Sequence, residues 1–449
     1  MAAQCASLRD QSCVKPVMVV ADARLREHIA ASCRQIGIDI LDVADSVPPN
    51  PVEQIEATLR EWLGRRRGLA RILGRPAIQH GLPVDLWRIA TLRRALPLSL
   101  AFWQEVIARE RPLAVMLPGD RELGFVPFVL AAAHELNIPR VIATPSKMNV
   151  ISLSGTRRDD RRFRVALRDH PPFMNILAGL RYPKQRAETE HGEMLFSPGW
   201  LTLALRPGEL LSDRPWVQGG GASTHLFVEG EATRQKFISA GVDVKKIVII
   251  GDLAYDDLHE RFVSRDELRR NLTYRYGLNP SKKLLVLAVP IYAEHNVMPW
   301  PEHIGKLVGF CQAISREAYD VLMSFHPKSD PRDYEFLQRD FGFVPADEPL
   351  SAFLPAGDVF LCGNSTTIDW ALKCGIPSVN LDYAKMNDRD YFDGTGAFFA
   401  QEPSELRALF ETGQLDKRAK GGADPYFDGR AAQRFVAFAE GLQTVQRQP

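Results

Sequence analysis

Gly357-Asp-Val-Phe-Leu-Cys-Gly-Asn-Ser-Thr-Thr-Ile-Asp-Trp-Ala-Leu-Lys-Cys-Gly-Ile-Pro-Ser-Val-Asn-Leu381 reads as strand, small polar turn, helix and strand again. Ser365, Thr366 and Thr367 fall at the entrance of that helix. Unpaired backbone N–H groups, the macrodipole and three hydroxyls converge there, which makes an anion site without a Walker-type lysine loop. A phosphate is the natural guest. The simpler reading is that Ser365 or Thr366 only caps the helix.

Upstream, Tyr319-Asp-Val-Leu-Met-Ser-Phe325 reads as a buried strand that ends in His326-Pro327-Lys328-Ser329. Ligands of open α/β sheets gather beyond the carboxyl ends of strands, so His326 to Lys328 and Ser365 to Thr367 belong on one lip of a sheet. They can hold one ligand together. A histidine before a proline is also an ordinary turn residue.

Strand and helix patterns alternate along the rest of the chain, the signature of parallel sheets covered by helices. Val17–Ala21, an amphipathic stretch to Gly37 and Ile38–Leu41 make one β-α-β unit. Pro112–Pro118 and Arg140–Thr144 flank a helix from Phe128 to Leu136 and make another. A second series is expected to open at Lys245–Gly251, with Lys283–Val289 next, and the hinge between 258 and 280. The domains expected are 15–260, with an insertion around 148–221, then 280–425, then a terminal helix over 426–443. Within the insertion stand Arg157, Arg158, Arg161, Arg162, Arg164 and Arg168, and Gly219 to Gly221, which read as a long solvated loop or a lining for an acceptor.

The 449 residues, 45% apolar and 25% charged with a formal net charge of +1, suit two or three full domains. Balanced charge and the lack of a binding motif argue against nucleic acid. No run approaches the length of a membrane span and Met1 to Lys15 has no apolar signal core, so a cytoplasmic protein is expected. The arginine-rich stretch 60–75 reads as an ordinary amphipathic helix; its second reading is peripheral contact with the inner face of a membrane. Six scattered cysteines indicate neither zinc nor disulfides, and they are expected as buried free thiols.

Phe227–Leu258 resembles the interdomain segment of the GT-B superfamily, as found in hydrolysing UDP-N-acetylglucosamine 2-epimerases. Asp424-Pro-Tyr-Phe-Asp-Gly-Arg-Ala-Ala-Gln-Arg-Phe-Val-Ala-Phe438 is similar to the terminal helix of that group, which crosses back to the first domain. The His-Pro and Ser-Thr motifs are similar to those of bacterial sialyltransferases, Kdo transferases and CDP-glycerol glycerophosphotransferases, where they hold the phosphate of a cytidine nucleotide. The resemblance implies an α/β GT-B fold with two Rossmann-like domains facing a central cleft. It also implies that His326, Pro327, Lys328, Ser365, Thr366 and Thr367 bind nucleotide, and that Asp369 sits where a carboxylate meets the ribose hydroxyls.

Departures choose among these relatives. The epimerases carry His-Arg-Arg-Glu-Asn where this chain has Val289-Pro-Ile-Tyr-Ala-Glu-His-Asn296, which keeps Glu294 and Asn296, and Glu294 joins the nucleotide-binding set. Their Glu-Ala-Gly-Leu-Arg is replaced by Ala143-Thr-Pro-Ser-Lys-Met-Asn149, and losing an acid that moves a proton at the sugar argues against epimerisation. An inverting glycosyltransferase working on a glycan, surface-polysaccharide or lipid-linked acceptor is the better expectation. Asp120, in Gly119-Asp-Arg-Glu-Leu-Gly124 after a strand, is the expected base, Glu122 the reserve, and the pair Glu229 and Glu231 the next place to look. An Asp120 that caps the following helix is the competing reading. No metal and no cofactor are expected, the nucleotide sugar being a substrate; the rivals are an epimerase-like hydrolase and a non-catalytic nucleotide-binding subunit.

Overall fold

A computed structural model describes residues 15–21, 26–27, 29–30, 33, 38–65, 81–121, 124–143, 157, 160–166, 171–189, 191–208, 210–386, 396–416 and 424–447. Two compact units divide the chain: Met1–Ile250 with Ala432–Pro449, and Gly251–Ala431. The stretch 258–280, where the sequence placed a hinge, is largely helical within the second unit, over Ala254–Val263 and Arg265–Tyr276.

In the first unit, β1 (Val17–Val20) and β2 (Asp39–Asp42) pair in parallel, as a β-α-β reading requires. β3 (Val115–Leu117) and β4 (Arg140–Ala143) are also parallel, with the Val126–Glu135 helix between them in sequence. Next come β5 (Arg186–Thr189), β6 (Gly192–Leu195), β7 (His225–Val228) and β8 (Ile247–Ile249), and the main sheet runs β3-β4-β7-β8. Lys245–Gly251 therefore does not open a second series but supplies the edge of the first sheet, since a short apolar run carries no mark of the sheet it joins. One face of the sheet packs on the Val126–Glu135 helix and on Trp103, Val106 and Ile107. On the other face the Ala431–Arg447 helix sets Phe435, Val436 and Ala439 against Val141, Ala143 and Phe227, with Phe438 and Phe227 edge to face at 4.9 Å. The terminal helix thus returns to the first unit.

The described residues of the inserted region are folded rather than a solvated loop. They hold the antiparallel β5–β6 hairpin and the helices Phe173–Arg181 and Gly199–Leu205. Buried Asn175 knits them: its Nδ2 donates to the carbonyls of Arg162 and Arg164, and its Oδ1 accepts from Gly199 N at 2.7 Å. Arg157 lies over the rings of Phe163, Phe196 and Trp216, and burial lowers its pKa to about 10. The described cysteines, Cys33, Cys311, Cys362 and Cys374, are buried free thiols.

The second unit is one six-stranded parallel sheet: β9 (Lys283–Ala288), β10 (Tyr319–Ser324), β11 (Val344–Pro345), β12 (Val359–Cys362), β13 (Ser378–Leu381) and β14 (Phe398–Ala400). Their order is β11-β10-β9-β12-β13-β14, the 3-2-1-4-5-6 order of a doubly wound fold. Successive residues alternate between two cores: Leu285, Leu287, Val359 and Leu361 on one face, Leu284, Val286, Phe360 and Cys362 on the other. Burial on both faces explains why these strands read as unbroken apolar runs. The chain leaves β9 in one direction and returns to its other side at β12, so the switch point lies between the carboxyl ends of these two strands.

Candidate functional site

Three loops meet at that switch point. After β9 the chain passes through Pro290, Tyr292, Glu294 and His295; after β10, through His326 to Ser329; after β12, through Gly363 to Thr367. β9 lies between β10 and β12, so the two outer loops stand about 10 Å apart by strand spacing, with the β9 loop between them. Gly363 packs closely on the β9 loop, and a Cβ there would stand 3.0 Å from Cβ of Pro290.

Tyr292 wires the centre. Its buried hydroxyl donates to the carbonyl of Leu381 at the end of β13 and accepts from Asn364 N at 3.1 Å. The turn before Ser365 is thereby held by the neighbouring loop. Ser365 Oγ and Thr367 Oγ1 are 2.9 Å apart, and Thr367 N donates to Ser365 Oγ. Thr367, at the helix entrance, makes no side-chain cap bond, and Thr366 is exposed. The helix they precede, Ile368–Lys373, has only six residues, so the macrodipole expected from the sequence is short and the hydroxyls are the stronger feature. Asp369 is on its first turn and half-buried.

The His326-Pro327-Lys328 turn is exposed and tied to the β9 loop. Lys328 N donates to His326 Nδ1 at 3.1 Å, which leaves the neutral ring's proton on Nε2 as a donor. Lys328 Nζ lies 3.4 Å from His295 Nε2, and the two imidazole rings stand 6.0 Å apart, edge to face. Burial lowers the pKa of His295, and Lys328 and His326 lower it further. Glu294 Oε1 accepts from the hydroxyls of Ser329 (2.7 Å) and Tyr334 (2.8 Å), while Oε2 accepts no hydrogen bond within the protein. Burial opposes the charge of Glu294, but those two hydroxyls prevail and hold its pKa below the usual carboxylate range.

A buried chain backs this carboxylate. Tyr334 gives its proton to Glu294 and so accepts from His303 Nε2 (3.1 Å), which leaves His303 Nδ1 to accept from Tyr383 (3.1 Å). Burial lowers the pKa of fully buried His303 and keeps the imidazole neutral. The structure thus brings Glu294, His326 and Lys328 into one cluster and adds His295, Tyr292, His303, Tyr334 and Tyr383, which the sequence reading missed. The only signal was that Tyr292 and His295 lie inside a segment already quoted.

The first-unit carboxylates stand differently. Asp120 is 4% exposed; Oδ1 accepts from Gly219 N at 3.0 Å, and Oδ2 from Gly221 N at 2.8 Å and Ser223 Oγ at 3.3 Å. These bonds tie it to the Gly219–Ser223 loop, and the next described helix has Phe125, not Asp120, at its N-cap. Glu122 lies outside the described residues, as do Thr144 to Asn149 and residues 66–75 of the arginine-rich stretch. Glu229 accepts from Thr233, and Glu231 pairs with Arg234, both within their own helix region.

No protein-family model matches the chain, and no curated protein matches it by sequence. Among solved structures, it is similar to UDP-GlcNAc 2-epimerase from Neisseria meningitidis bound to UDP-GlcNAc, at 12% identity and TM-score 0.51 over 99% of this chain and 96% of that one. It is also similar to a candidate UDP-N-acetylglucosamine 2-epimerase from Listeria monocytogenes, at 15% identity and TM-score 0.50 over 100% and 94%. The likeness spans both units and shows the GT-B fold.

Proposed function

We propose that the second unit binds the phosphates of a nucleotide sugar at its switch point, and that the chain transfers the sugar to a glycan or lipid-linked acceptor. One observation carries the reading. The carboxyl edge of a 3-2-1-4-5-6 sheet presents His326, Lys328, Ser365, Thr366 and Thr367 on loops already fixed by Glu294 and Tyr292. Such preorganised donors stabilise charge on a departing phosphate without rearranging when it forms. Pro327 fixes the turn between two of these donors, and Asp369 is proposed for the ribose hydroxyls. The choice of a cytidine nucleotide rests on the resemblance of the His-Pro and Ser-Thr motifs. The acceptor's base is proposed to be Glu122, because the oxygens of Asp120 are engaged by its own loop.

A titration of CMP, CDP, UDP and GDP against melting temperature tests the binding step, since a ligand of the folded form alone raises it. CMP or CDP is expected to give the largest rise; no rise with any of the four removes the reading. Among the described residues no group of three His, Cys, Asp or Glu is placed to hold a metal ion, and the phosphate-facing cations belong to the chain. Transfer is therefore expected to proceed unchanged in EDTA, and loss of turnover that magnesium or manganese restores would refute this part. A second reading, hydrolysis with epimerisation of a UDP-sugar, is favoured by the fold shared with named 2-epimerases and by Glu294. Donor alone separates the two: free epimerised sugar and UDP accumulate only in the second.

A further inference from the structure

The Leu82–Glu110 helix is inside out over its first two turns, and beyond them an outward apolar stripe continues while Leu92 packs inward. A helix packed in water turns leucines inward and charges outward. Here Asp85 and Arg88 are 2% and 3% exposed and paired at 2.9 Å, with Glu56 also on Arg88. Leu86 is 52% and Leu98 68% exposed, and Leu82 and Trp87 also face outward. Ala90, Pro97 and Ala101 continue the outward stripe, and its exposed charges between Leu82 and Ala101 are Arg93 and Arg94. The Phe173–Arg181 helix repeats the pattern: Phe173, Leu177 and Leu180 are exposed at i, i+4 and i+7, Arg181 follows, and Met174 and Ala178 are buried. Both helices pack against Gly199–Leu205, and Arg93 donates to the carbonyl of Leu203 there.

We infer that these two helices form a docking face that lies on an anionic lipid surface. Apolar surface concentrated in this way marks a contact rather than scattered exposure. The charge on it selects the occupant. A second copy would bring Arg93, Arg94 and Arg181 toward one another, and the one exposed acid in line with either stripe is Glu105, a turn beyond Ala101, so the face stays net basic. Acidic headgroups meet the guanidinium groups, Trp87 suits the interface, and the leucines reach the acyl boundary. No helix among the described residues is long and apolar enough to cross a membrane, so the association is peripheral. The inference does not depend on which donor or reaction the second unit serves.

Flotation of the full chain with vesicles of phosphatidylglycerol and phosphatidylcholine, compared with phosphatidylcholine alone, tests it. The wild-type chain is expected to float with the anionic vesicles and to be released by salt. Leu86→Glu/Leu98→Glu and Leu177→Glu/Leu180→Glu each lower the bound fraction roughly tenfold or more. Arg94→Glu/Arg181→Glu lowers it roughly fivefold per arginine. These positions are exposed, so the melting temperature changes little; Leu86→Gln/Leu98→Gln serves if a Glu pair fails to fold. Absence of wild-type binding, or binding that the leucine variants retain, overturns the inference. So does a wild-type dimer, by light scattering, that the leucine variants split while vesicle binding is unchanged.

Discussion

His326→Ala lowers the affinity for the bound nucleotide roughly ten- to a hundredfold, the loss of one hydrogen bond to a charged phosphate, and leaves the fold in place. The ring is exposed, so nothing in the core depends on it. Its Nδ1 is engaged by Lys328 N, so the alanine variant removes the Nε2 donor and the anchor of the turn that carries Lys328. Ser365→Ala/Thr366→Ala is expected to fall in the same range through the neighbouring loop, with a small loss of stability because Ser365 Oγ also holds Thr367 N. The measurement is a nucleotide titration by calorimetry beside a thermal melt. Wild-type affinity in both folded variants would take the phosphate away from this edge of the sheet.

The sheet that carries these residues was legible because β9, β10, β12 and β13 are buried on both faces, which leaves them mostly apolar, without a break over Leu284–Ala288 and Val359–Cys362. The lip followed from the rule that ligands gather beyond carboxyl ends. What was hidden is the wiring. Tyr292 meets Asn364 from 72 positions away, and Tyr383 meets His303 from 80. No periodicity reports such pairs. His303 on a packed helix reads like any core histidine, although both its nitrogens are committed to tyrosines. The region 148–221 looked like a loop because its organiser is one buried Asn175 bonded to three backbone groups, and a lone asparagine in sequence predicts a turn. The Lys245–Gly251 run was assigned to the wrong sheet for a related reason: register partners, not composition, decide where a short strand goes.

Asp120→Ala is expected to destabilise the first unit by about 3–5 kcal/mol, because it leaves the donors of Gly219, Gly221 and Ser223 without the acceptor they share in a buried place. The glycines are part of the same device. Gly219 has φ 81°, and a Cβ on Gly221 would stand 2.9 Å from Asp120 Oδ2, so the loop closes on this carboxylate only with glycine there. Asp120→Asn separates organiser from base. An amide offers one oxygen and one N–H where the loop presents donors to both oxygens, so the asparagine variant should lose about half as much stability as the alanine one. A base would behave in the opposite way: asparagine would keep the urea midpoint and lose turnover roughly a hundredfold. Urea melts and turnover of Asp120→Asn and Glu122→Gln, measured side by side, decide between them. If Asp120→Asn melts like the wild type and is nearly inactive, the base is Asp120 after all; if Glu122→Gln is the inactive and stable variant, Asp120 only shapes the loop.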